Sequence, residues 1–165
     1  MKRIWALLLL AAPLIAMADS PDASFYKKAA EGGISEVEAG NLAQTKSNSQ
    51  KVKDFAAMMV KDHSAANDKL KALATTKDVT LPTSSSMGQM ATKAKLEVLT
   101  GDTFDKSYIK GQIEAHRSTV ALFRKEIATG QDPDAKAFAA ATLPTVRSHL
   151  KAINAIAAES GITTT

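Results

Sequence analysis

An all-α four-helix bundle is the fold the sequence predicts, and three observations predict it. Four long stretches carry apolar residues at helical spacing, no stretch alternates with the period of a strand, and two very short turns plus one long link join the four. The long link carries a short extra helix of its own.

The chain opens as an export signal. Lys2 and Arg3 supply positive charge, Ile4 to Ile15 an apolar run, and Ala16-Met17-Ala18 a small-x-small cleavage site. The expected division is a signal peptide over residues 1–18 and a single bundle domain over residues 19–165. The apolar run is too short to span a bilayer comfortably, and no later segment is long and apolar enough to replace it.

The first helix is expected from about Pro21-Asp22 to Lys46, with Ser20 or Asp22 as cap and Pro21 in the first turn. Phe25, Ala29, Gly33, Val37, Gly40 and Ala43 give it a narrow face of mostly small residues, with Glu36 on its edge. Ser47-Asn48-Ser49 breaks the chain, and the second helix runs from Lys51 to Thr75. Its seam is Val52, Ala56, Met59, His63, Ala66, Leu70 and Leu73. So short a connection makes these two helices an antiparallel hairpin.

Val79 to Thr83 reads as extended, because Pro82 holds Leu81 out of the helical region. Ser84-Ser85-Ser86 reads as a flexible link before a short helix from about Met87 to Leu99. Gly101 is expected to close that helix, and Asp102 and Asp105 to open the third long one as a capping-box-like pair. The third seam is Ile109, Ile113, His116, Val120, Phe123 and Ile127, ending at Gly130. Asp132-Pro133 caps and starts the fourth, whose seam is Phe138, Thr142, Val146, His149, Ile153 and Ile156, with Gly161 as stop. Pro144 predicts a kink about one turn before His149. Two tight hairpins joined by a long crossover form the ferritin-like variant of the bundle; a local return of the link would give an up-down-up-down bundle instead.

Composition narrows the chemistry. With no cysteine, the chain has no disulfide, thiolate site, cysteine nucleophile or lipid-attachment point. The net charge of +4 falls to +2 once Lys2 and Arg3 leave with the signal, and the lysines are interleaved with acids, as on a solvated helix face. That excludes a nucleic-acid surface from the expected partners, and the sequence names no protein partner. Glycine-rich phosphate loops, Ser-x-x-Lys pairs and nucleophile elbows are all missing.

The functional signal is that each of three seams is interrupted near its middle by one of the three histidines of the chain, His63, His116 and His149. Counting from the turns, His63 lies about 14 residues past the first and Glu36 about 11 before it, while His116 and His149 lie about 14 and 18 residues either side of the second. Both connectivities therefore place Glu36, His63, His116 and His149 in one central layer, each on its own helix. A single seam histidine is usually a hydrogen-bonded core residue. Three at one depth would each lose hydration and need a separate polar partner, whereas a divalent cation takes three neutral imidazoles and one carboxylate together. Zinc, copper, iron and nickel all suit such a ligand set.

Among the neighbours, Asn67 is a candidate to support His63 from one turn away, and Asp62 and Glu114 are expected at the rim. Met87 and Met90 could offer two thioethers, although methionine on a helix face is usually packing.

Several segments carry a family resemblance: Asp22 to Phe25, Ser35-Glu36-Val37-Glu38 with Ala39-Gly40, Phe55 to His63, Gly101 to Tyr108, and Leu143 to Leu150. Together they resemble the bacterial exported family catalogued as domain of unknown function 4142, often labelled predicted outer membrane proteins. The resemblance implies a ferritin-like helical bundle and carries no established activity. The sequence has neither a barrel period nor a lipid-bearing cysteine to support the outer-membrane label. It also departs from the ferritin di-iron pattern of Glu-x-x-His pairs, because Val60 and Val146 stand three residues before His63 and His149. One mononuclear, histidine-rich site is what this leaves, in an exported and periplasmic protein that holds or senses an ion. The alternative is a metal-free envelope-stress or interaction module with a buried histidine layer.

Overall fold

The computed structural model describes residues 21–163. The expected signal peptide and the expected cap at Ser20 lie outside the described residues. Among the described residues there are five helices and no strand: α1 (Pro21–Lys46), α2 (Gln50–Thr76), α3 (Met87–Glu97), α4 (Gly101–Thr129) and α5 (Pro133–Glu159). Among the described residues, no helix is long and apolar enough to cross a membrane.

Local chemistry explains most of the boundaries. The Ser49 side chain accepts from the backbone N–H of Val52 and so caps α2, leaving only residues 47–49 between α1 and α2. Ser86 and Gln89 form a reciprocal capping box at the start of α3. Asp132 caps α5 by accepting from Asp134 N, with Pro133 in the first turn, and Gly161 follows the helix with φ at +64°. Pro144 lies inside α5, which runs on unbroken to Glu159.

Two expected caps are replaced. Thr100 stands at the N-cap of α4 without a side-chain cap bond, and Gly101, with φ at +55°, opens α4 rather than closing α3. Asp105 is drawn away from capping by a hydrogen bond from the Ser47 hydroxyl. Asp22 reaches out of the first turn of α1, and its Oδ1 accepts from Gln131 N at 2.9 Å.

These bonds also decide the connectivity. At one end, Ser47 meets Asp105 and Lys46 meets the Glu97 carbonyl, so α4 begins beside the α1–α2 turn. At the other, the Tyr26 hydroxyl donates to Asp132 at 2.9 Å, and Lys77 pairs with Asp132 and Asp134 at 3.1 and 2.6 Å. The link between α2 and α4 therefore travels the length of the bundle. Helices α2 and α4 run one way and α1 and α5 the other, which removes the up-down-up-down alternative.

The core falls into two clusters. Phe55, Met59, Phe104, Tyr108, Ile109, Ile113 and Ile153 fill the end nearest the α1–α2 turn. Phe25, Tyr26, Leu70, Phe123, Leu143 and Val146 fill the opposite end, with Val79 and Leu81 of the crossover packed against them. Burying each large side chain contributes roughly 1.5–3 kcal/mol. Between the two clusters the buried residues are polar.

Candidate metal centre

That polar layer contains all three histidines. His63 comes from α2, His116 from α4 and His149 from α5, and all three are buried. Each takes a seam position because Met59, Ile113 and Val146, about one turn earlier on the same helices, are buried in the flanking clusters. Ring centroids are 5.7 Å apart for His63–His116 and 5.5 Å for each of the other two pairs. Each ring can offer one nitrogen such that the three nitrogens lie within 4.8 Å of one another.

The second nitrogen of two rings is already engaged, which fixes the tautomers. His116 Nδ1 lies 2.9 Å from the Gln112 carbonyl oxygen, an atom that can only accept, so Nδ1 carries the proton. His149 Nε2 lies 3.0 Å from Asp62 Oδ2 and donates to that carboxylate. The nitrogens left buried without a partner are His63 Nε2, His116 Nε2 and His149 Nδ1. A native core rarely leaves three such nitrogens unpaired within one small space.

Charge is disfavoured here. Burial, reinforced by the neighbouring His116 and His149, pushes His63 down to about 3, with Asp62 pulling weakly the other way. Burial also lowers His149, against the hydrogen bond it donates to Asp62. His63 therefore keeps its lone pair free at neutral pH, the form a metal requires.

Glu36 lies beside the three rings. It is buried on α1, accepts from Gln112 Nε2 at 2.7 Å, and its Oε1 lies 3.9 Å from His116 Nδ1, the nitrogen that also meets the Gln112 carbonyl. The three histidines converge, and Glu36 stands behind one of them. Burial raises its carboxyl above the ordinary range, against the opposing pull of His116 and Gln112.

Two supporting residues differ from expectation. Asp62, expected at the rim, bridges from α2 to His149 on α5, because the position before His63 is turned towards the neighbouring helix. Gln112, one turn before His116, contributes its carbonyl to that ring and its amide to Glu36; its position on the seam next to Ile113 was the available signal. Asn67 packs against Gly33, where a built Cβ would come 1.9 Å from its Oδ1. Met87 is 80% exposed and Met90 40%.

The family model described as Domain of unknown function (DUF4142) matches residues 10–156. Among solved structures, a DUF305 protein from Streptomyces coelicolor is similar at 20% identity and a TM-score of 0.74, covering 90% of this chain and 98% of its own. A DUF305 fragment from Deinococcus radiodurans gives 13% identity and a TM-score of 0.75, with 85% and 97% covered. CopM in the Cu(I)-bound form gives 14% and 0.69, with 84% and 96% covered. At these identities the likeness is one of fold. No curated protein matches the chain.

Proposed function

The chain belongs to the family described as Domain of unknown function (DUF4142), and from that premise, which supplies no activity, we propose that it is an exported bundle that holds one transition-metal ion among His63, His116 and His149. The observation that carries the reading is the convergence of three imidazoles, each with a buried and unpartnered nitrogen. An ion supplies all three with a partner at once.

Glu36 and Asp62 complete the reading as supports. Asp62 accepts the outer N–H of His149 and Glu36 lies behind His116, so two carboxylates balance the positive charge that an ion would bring into a dry layer. Zinc, copper, iron and nickel remain the ions of interest. The fold shared with CopM, which is described in a Cu(I)-bound form, makes copper the first to try. The void beside His63 is about 30 Å³, room for about one water, which favours holding an ion over turning over a substrate. The signal read over residues 1–18 supports export to the periplasm, with one domain remaining from residue 19.

The test is thermal unfolding of metal-stripped protein with each ion. At a hundredfold excess over Kd, binding stabilises by ~2.7 kcal/mol, which raises Tm by roughly 5–10 °C for a domain of this size. The His63→Ala, His149→Ala double variant should lose that rise. An unchanged Tm with all four ions would leave the metal-free interaction module as the surviving reading.

A further inference from the structure

The histidine layer is closed on most sides. His116 and His149 are 1% and 2% exposed, whereas His63 reaches 9%, so contact with solvent is made on the α2 side. Two voids lie there. One is an open groove of about 460 Å³ between α1, α2 and the extended crossover, with Ala30, Leu70, Val79 and Leu81 in its walls. The other is the small, partly open space, with exposed Lys28 at its rim and His63 and Glu36 in its wall. Two residues line both: Leu70, which is fixed in the core, and Asn67, which is only partly buried and stands one turn along α2 from His63.

What faces Asn67 is bare backbone. Gly33 offers no side chain at the point where α1 passes, and the Asn67 carboxamide fills the room that a side chain would take. Where the groove and the small space adjoin, they are thus separated by one movable amide resting on Gly33.

We infer that metal ions enter and leave the histidine centre from this groove, through a port that Asn67 closes by resting on Gly33. The inference rests on the ion-holding reading above. A carboxamide suits the position. Its oxygen can touch a partly hydrated cation without the charge that would trap it, and its softer neighbours beyond are the imidazoles that retain the ion. Opening requires a side-chain rotation, a fast event compared with separation of the helices.

The probe is whichever of the four ions raises Tm most, offered as free metal, with uptake followed by rapid mixing and release by transfer to a chromophoric chelator. Asn67→Ala should speed uptake and release alike by roughly tenfold, equivalent to ~1.4 kcal/mol off the barrier. Asn67→Leu, which fills the port with apolar bulk, should slow both. Kd stays as in the parent protein in each case, because a port alters the path and not its end states. Unaltered rates in both variants overturn the port while leaving the site in place. A change in Kd carried by release alone also overturns it, since Asn67 would then be holding the ion. Absence of equilibrium uptake by the parent protein is a different failure, and removes the metal reading itself.

Discussion

His149 Nε2 lies 3.0 Å from Asp62 Oδ2, a bond between α5 and α2 that spans 87 positions of sequence and leaves His149 Nδ1 turned into the buried layer. The carboxylate does two things for that ring: it selects the tautomer and it fixes the orientation. Asp62→Asn can still accept through its amide oxygen but no longer carries the charge that strengthens the imidazole as a donor. Metal affinity should fall by about 10–100-fold, with little change in the unfolding of the metal-free protein. Competition against a chelator of known affinity measures the first, and denaturant unfolding the second.

Glu36→Gln probes the opposite side of the layer. Its amide retains a partner for Gln112 but withdraws the carboxylate that lies 3.9 Å from His116 Nδ1. As a support and not a ligand, Glu36 should be worth about 10–100-fold in affinity, with the number of ions bound unchanged. Titration calorimetry reads both, and loss of stoichiometric binding would make Glu36 a fourth ligand after all.

Acid should loosen the metal-free protein through His63. In the unfolded chain this ring titrates near 6.5, and in the fold burial pushes it down to about 3. Below pH 6.5 the unfolded state takes up a proton that the native state refuses, so the contribution to stability is whole above 6.5 and is lost as pH falls towards 3. The slope from this residue is about 1.4 kcal/mol per pH unit, and His149 adds to it in the same direction. Guanidinium unfolding at pH 7, 5.5 and 4.5 should show the decline, and His63→Leu should remove the share owed to His63.

The bundle and its histidine layer are legible in the sequence for one reason: helical period and turn position together fix which residues face inward and at what depth. His63, His116 and His149 are each single interruptions of an apolar seam, so their depths can be counted from Ser47-Asn48-Ser49 and Gly130. Side-chain direction is what period leaves open. Which of its neighbours the Glu36 carboxylate meets depends on Gln112, a residue on another helix. Asp62 was assigned to the rim because adjacent positions on one helix diverge, but in a four-helix packing the flank of α2 is the face of α5. The acids Asp22 and Asp105 look like caps for their own helices because capping is a local pattern, and both are taken by distant partners, Gln131 N and the Ser47 hydroxyl.

At the far end of the bundle, Glu126 should make the protein weaker in alkali. It is buried, with Oε1 unpartnered, and burial first, then its hydrogen bond to Asp22 and the charges of Asp22 and Asp132, raise it to about 7. Burial opposes ionised Asp22 too, but bonds from Glu126, Gln131 and Asp132 outweigh it and hold Asp22 below its ordinary value. For a carboxyl raised in the fold, stability is full below pH 4.5 and drains away as pH rises to about 7. Glu126→Gln keeps a donor for Asp22 without the ionisation. It should stabilise the protein at pH 8 by about 1–2 kcal/mol, reduced from the full shift because this end is solvated, and be near neutral at pH 4. Unfolding curves of both proteins at the two pH values decide it.

Two glycines of α1 should respond in opposite directions to the same substitution. A Cβ at Gly32 meets nothing within 4 Å, so Gly32→Ala gains helix propensity at no packing cost and should stabilise by about 0.5–1 kcal/mol. A Cβ at Gly40 would lie 2.8 Å from Val60 Cγ2 and 3.0 Å from the Ala56 carbonyl. The valine can turn, but the carbonyl is held in the backbone of α2. Gly40→Ala must therefore push α1 and α2 apart where their packing is closest, a strain of about 1–3 kcal/mol that exceeds the propensity gain of ~1 kcal/mol. Thermal unfolding of the two variants beside the parent should show one Tm raised and the other lowered. A rise in both would mean that the hairpin can absorb a methyl at Gly40, and that close approach of the two backbones is not what holds glycine there.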